Sequence, residues 1–151
     1  MRKFISICLM AFILVGCYNG KEEATEQTFF VNAYYTYSEH PDYGERIADN
    51  TYVGLYESNG NDVGEVNTTS LLIYDTYGND LLLKYASNSS NGINMFENIP
   101  NGEYVLLAVY KPYTFIRYYS YKKIIVNENY NYITEKIVFD CSEESGYQPW
   151  K

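Results

Sequence analysis

A chain of 151 residues, 46% apolar and 20% charged, has room for one packed domain. Nineteen acids against eleven bases leave a net charge of −8, and no basic patch stands out that could neutralise a phosphate backbone, which argues against nucleic acid as a partner. The three cysteines, Cys8, Cys17 and Cys141, are too few and too scattered for a disulfide scaffold, so stability has to come from packing. In chain order, Arg2 and Lys3 come first as a positive lead, followed by an apolar run over 4–15 and then Gly16-Cys17. That run is too short to span a bilayer core of roughly 30 Å and sits where a secretory signal belongs.

Leu14-Val15-Gly16-Cys17 resembles the lipobox of bacterial lipoproteins at all four positions. The resemblance implies cleavage before Cys17, diacylglycerol on its sulfur and an acyl chain on its new amino group. Each buried methylene contributes about 0.8 kcal/mol, so several chains together give stable attachment to a bilayer. The expected organisation is a signal peptide over 1–16, a lipidated N-terminus and polar tether over 17–28, and a folded body over 29–151. Lys21-Glu22-Glu23 in the tether is similar to the export tag of surface lipoproteins of the Bacteroidetes. It implies an outer-membrane protein facing the cell exterior, with the periplasmic face as the alternative.

From residue 29 onward the chain reads as strands rich in Tyr, Val, Ile, Leu and Thr: 29–37, 51–57, 70–77, 80–86, 93–96, 103–111, 115–126 and 130–139. Asn/Gly-rich turns separate them, at 58–61, 77–80, 91–92 and 100–102. No stretch shows sustained helical periodicity, so an all-β fold of about seven to eight strands is predicted, with two packed sheets. In 103–111, Val105, Leu107 and Val109 point one way and Tyr104, Leu106, Ala108 and Tyr110 the other. Both faces are apolar, which predicts a central strand covered on its second face. The mixed pattern of 130–139 suits a strand near an edge. Gly54 inside 51–57 predicts a bulge or a close approach.

Phe96-Glu97-Asn98-Ile99-Pro100-Asn101-Gly102-Glu103-Tyr104 resembles the turn-and-strand signature of transthyretin-like sandwiches, including carboxypeptidase regulatory-like domains of secreted bacterial proteins. The segment 51–57 is similar to that family's early strand. The resemblance implies a Greek-key, transthyretin (prealbumin)-like β-sandwich, in a family whose bacterial members are adhesive, spacer or accessory domains. On the residues themselves, Ile99 plugs the core, Pro100 and Gly102 turn the chain, and Tyr104 opens the next strand.

Candidate chemistry is sparse. His40 is the single histidine and lies in a polar loop, short of a zinc set, and no Ser or Cys motif signals a nucleophile. Asp140, Glu143 and Glu144 near Cys141 oppose a thiolate. An enzyme is therefore not expected, and no cofactor is implied. Calcium is the one metal with candidate ligands, the loop acids Asp42, Glu45 and Asp49, with Asp62 and Glu65 between other strands. The functional hint is nineteen tyrosines, clustered at 34–37, 110–113, 118–121 and 130–132. Tyrosine gives broad rigid contact area with a hydroxyl, but it is also simply a good strand residue. Tyr113, Tyr118, Tyr119 and Tyr121 are the candidate interaction residues. The leading expectation is a non-catalytic, lipid-anchored envelope module with a protein partner, and the alternative is a surface glycan-binding lipoprotein. Lys122 and Lys123 read as guards against edge-to-edge strand pairing. Trp150 predicts that the C-terminal tail folds back onto the body.

Overall fold

The computed structural model describes residues 27–89, 91–127 and 132–151. Cys17 and the Lys21-Glu22-Glu23 tag lie outside the described residues. Among the described residues the regular elements are eleven β-strands and one 3-10 turn (Pro41–Tyr43). The strands are β1 (Thr28–Thr36), β2 (Arg46–Ile47), β3 (Thr51–Glu57), β4 (Val63–Asn67), β5 (Leu72–Asp75) and β6 (Leu82–Ser89). Then follow β7 (Ile93–Phe96), β8 (Gly102–Tyr113), β9 (Ile116–Val126), β10 (Tyr132–Asp140) and β11 (Gly146–Tyr147).

β1 is the centre of the first sheet. One of its edges runs parallel to β10 from Thr28↔Tyr132 to Thr36↔Asp140. The other is shared by β7, opposite Phe29–Asn32, and β2, opposite Tyr34 and Tyr35. The second sheet has the order β11-β9-β8-β3-β6, and β4 and β5 form a separate hairpin. The result is an all-β sandwich with a third, partial layer.

The alternation of β8 builds all three layers. Tyr104, Leu106, Ala108 and Tyr110 face the first sheet, meeting Phe29, Val31 and Ala33 of β1 and Ile137 and Phe139 of β10 in one buried cluster. Val105, Leu107 and Val109 face the opposite way, into a second cluster with Tyr52, Tyr56, Ile73 and Leu81. Val63, Val66 and Leu71 of the hairpin region close it from outside. The covered second face expected of β8 is therefore real, and its cover is the β4–β5 hairpin. β10 lies at a sheet edge, as its mixed pattern predicts.

The segment 96–104 behaves as its residues suggest. Ile99 is 1% exposed, Asn98 takes a left-handed φ of 59°, and the Tyr104 hydroxyl donates to the Pro100 carbonyl at 3.0 Å. Gly54 marks a real irregularity: the β3–β6 register shifts between Leu55 and Tyr56, and the close approach above it is made by tyrosine side chains.

Three strands depart from the sequence expectation. β2 and β11 are two-residue strands, too short to leave a periodic signal. β4 lies outside the expected strands, and Gly64 and Glu65 interrupt its alternation. Its register against β5 shifts between Val63 and Glu65, so Gly64 occupies the irregular position. A Cβ there would lie 2.5 Å from the Asp75 carbonyl oxygen, which leaves glycine as the fitting residue. The strand expected over 70–77 is correspondingly short, since Tyr77 and Gly78 belong to the turn that follows β5.

Candidate functional site

On β9 the even residues Tyr118, Ser120, Ile124 and Val126 are buried toward the first sheet, so Tyr119 and Tyr121 project from the outer face of the second. β11 brings Tyr147 alongside by pairing in parallel with β9, Gly146 opposite Tyr118 and Tyr147 opposite Tyr119. The Tyr147 ring lies 5.7 Å from that of Tyr119 at 59°, and 5.2 Å from that of Tyr121 at 40°. Val63, Gly64, Glu65 and Val66 of the hairpin form the facing wall. Between the walls is a groove of about 330 Å³.

Both walls are held in place by polar ties. On the β11 side, the Gln148 backbone N–H donates to the Tyr119 carbonyl at 2.8 Å. The Gln148 side chain clasps Asp140 in both directions, accepting from its N–H and donating to its carbonyl, each at 2.8 Å. On the hairpin side the Asp75 carboxylate accepts from the backbone N–H groups of Tyr77 (2.9 Å) and Asn79 (2.8 Å) and from the Asn61 side chain (3.0 Å). The Asn79 backbone N–H is the main reason its pKa falls below the ordinary carboxylate value, with the Asn79 side chain next. Lys123 and Asp62, 2.5 Å apart, join β9 to the chain entering the hairpin.

The groove is therefore amphipathic: ring faces and valine methyls, phenol hydroxyls and one carboxylate. Burial pushes the Tyr121 phenol up from its usual pKa, with Tyr147 and Tyr119 adding to the effect. It is a neutral hydrogen-bonding group around pH 7. Such a surface can hold a ligand that offers both apolar faces and hydroxyl edges.

The four candidate tyrosines do not form one site. Tyr119 and Tyr121 share the groove. Tyr118 is 5% exposed, lies in the main core, and its hydroxyl donates to the Cys141 carbonyl at 3.3 Å. Tyr113 is 69% exposed at the far end of β8, beside a Thr114-Phe115 turn whose phenylalanine is 92% exposed. Tyr147 completes the groove without having been singled out as a site residue, and Glu65, named in the sequence only as a calcium candidate, borders it. The one sequence signal for Tyr147 was indirect, through the tail expected to fold back with Trp150. That tail does pack: Trp150 is partly buried against the main core, with Lys122 Nζ 5.6 Å from its ring.

The remaining candidates are dispersed. His40 is exposed and stacks on Tyr43 at 5.0 Å, and Arg46 lies 5.3 Å from the same ring. Of the calcium candidates, Glu45 pairs with Lys136 at 2.6 Å, while Asp42 and Asp49 are exposed. Among the described residues no three His, Cys, Asp or Glu side chains gather as a metal site. Burial, with Asp140 adding to it, pushes the Cys141 thiol up to about 11, so it stays protonated around pH 7. Lys122, expected to guard a strand edge, pairs with Glu135 of β10 at 2.7 Å and so links the two sheets.

No protein-family model matches this chain, and no curated protein matches it. Among solved structures, an inferred carbohydrate-binding protein from Pseudomonas aeruginosa is similar, with a TM-score of 0.42 and 14% identity. The match covers 82% of this chain and 93% of that one, and at this identity it assigns no ligand here.

Proposed function

We propose that this chain is a non-catalytic lipoprotein with a transthyretin-like sandwich, anchored in the outer membrane through acylated Cys17 and displayed outward, and that it binds saccharide in the Tyr119–Tyr121–Tyr147 groove. The observation that carries the reading is the convergence of three tyrosines from two strands on one groove. A wet sheet face needs no such meeting, and these rings are held there by a dedicated tail strand and its Gln148 clasp. Sugars present C–H faces to rings and hydroxyl edges to phenols and carboxylates, which matches the groove's mixed lining.

The test uses residues 17–151 with Cys17→Ser, titrated with neutral, amine-bearing and acidic oligosaccharides from bacterial, host and plant sources. Saturable binding should weaken at least about ten-fold in Tyr121→Ala and in Tyr119→Ala, the scale of one lost aromatic contact. Absence of binding by a folded sample, or binding indifferent to both substitutions, would remove the reading.

A second reading, contact with an envelope protein, is favoured by the β8–β9 turn. The β8–β9 turn, Thr114-Phe115, lacks the usual Asn and Gly and places a ring in solvent beside Tyr113. Photo-cross-linking from position 114 should capture a discrete envelope protein if that tip is a docking point, and nothing above background if it is not.

A further inference from the structure

Resting on the saccharide reading, we infer that the groove selects an amine-bearing sugar, a hexosamine unit with a free ammonium group, over neutral and acidic saccharides. Two independent features of the groove point to a cation. The rings of Tyr119, Tyr121 and Tyr147 meet at 40° and 59°, with centroids 5.2 and 5.7 Å apart. They make an angled wall and not a flat shelf. Coplanar rings suit the broad face of a neutral pyranose, whereas rings inclined to one another offer no such platform, and a compact cation is attracted to the negative face of a ring within about 6 Å of its centroid.

The second feature is Glu65. It borders the groove, and among the described residues it has no ion-pair partner. The other charges near the groove, Lys123 and Asp62, neutralise each other at 2.5 Å. The rim of the groove thus carries one carboxylate without an ion-pair partner, on a chain whose net charge is −8. Uronates and sulfated sugars meet repulsion there, and a neutral sugar gains nothing from the carboxylate beyond a hydrogen bond. An ammonium group gains both the carboxylate and the rings.

The test compares four probes on residues 17–151 with Cys17→Ser: a short oligomer of β-linked glucosamine, its N-acetylated counterpart, a uronate oligomer, and choline as a cation without a sugar. The glucosamine oligomer should bind at least about ten-fold tighter than the N-acetylated one, which is the size of one partly desolvated cation–π contact plus a charge pair. Added salt should erode that preference. Glu65→Gln should remove most of that preference by weakening the glucosamine oligomer far more than the N-acetylated one, and Tyr147→Leu should weaken both oligomers. Glu65 is exposed, so its variant should keep the parental melting temperature, which is to be measured alongside.

Equal binding of the two glucosamine oligomers would overturn the charge selection and leave the saccharide reading standing. Choline binding without any saccharide binding would overturn the saccharide reading and the amine-sugar inference with it. Tight uronate binding would overturn the inference outright, and no binding of any probe by a folded sample would overturn both readings.

Discussion

Gly54→Ala should destabilise the domain although alanine is the better strand residue. Tyr52, Gly54 and Tyr56 follow one another along the hairpin-covered face of β3, and the two tyrosines are 5% and 0% exposed. Their hydroxyls lie 3.1 Å apart, and the Tyr56 hydroxyl also donates to the Leu71 carbonyl. A Cβ on residue 54 would sit 2.7 Å from the Tyr52 hydroxyl and 2.7 Å from Tyr56 Cε2. Losing glycine's backbone freedom in the unfolded state gains roughly 0.5–1 kcal/mol. Against this stand about 1–3 kcal/mol of overpacking strain and about 0.5–1.5 kcal/mol for a displaced hydrogen bond. The net cost is about 0.5–4 kcal/mol, or a fall in Tm of about 2–16 °C for a domain of this size. Urea and thermal unfolding of residues 17–151 carrying Cys17→Ser, followed by circular dichroism, would measure it. In a Tyr52→Phe background one of the two clashes is gone, so the cost should shrink by about 0.5–1.5 kcal/mol. A Gly54→Ala variant as stable as its parent, or one whose cost is the same in both backgrounds, would refute the account of why glycine is there.

Two further outcomes are expected. Trp150 is the single tryptophan and is half-covered by the main core, so Trp150→Ala should cost about 1–3 kcal/mol in urea unfolding, and parental emission should shift to the red on unfolding. An unchanged midpoint would show that the tail's packing contributes nothing. Asp75 has a folded pKa below its ordinary value of 3.8, so its contribution is present above that value and is lost as pH falls through the lower folded pKa. Asp75→Asn should therefore flatten the decline in Tm between about pH 4 and pH 2, and an acid limb as steep as the parent's would count against the loop's N–H groups as the cause.

The layered fold was largely legible because its central strand carries the evidence on both faces. Seven apolar residues in alternation, Tyr104 to Tyr110, admit few arrangements other than a strand covered twice. Ile99, Pro100 and Gly102 marked the entry to that strand through turn chemistry that is local by nature. β4 was not legible, because its identity depends on Gly64 fitting against the Asp75 carbonyl, a contact with a strand that follows it in the chain. β11 was equally silent, since two residues have no period. The groove inherits both omissions. Tyr119 and Tyr121 could be picked out by composition and assigned to one strand face, but the elements that make them a site, β11 with Tyr147 and β4 with Glu65, are both strands that sequence alone hides. Tyr118 failed as a candidate for a related reason. Adjacent tyrosines must point to opposite sides, and only the sheet order says which side is the core.

The parallel pairing of β1 with β10 has a mechanical consequence. Tension on the segment ahead of Gln27, the segment that would lead to a lipid anchor, draws β1 along its own axis. The register from Thr28↔Tyr132 to Thr36↔Asp140 then carries the load in shear, with its backbone hydrogen bonds strained together instead of opening one after another. The β7 and β2 pairings brace the other edge of the same strand. A ligand in the groove would pull on β9 and β11, in the opposite sheet. On the proposed reading, load between the anchor and the groove would have to cross the sandwich through its core.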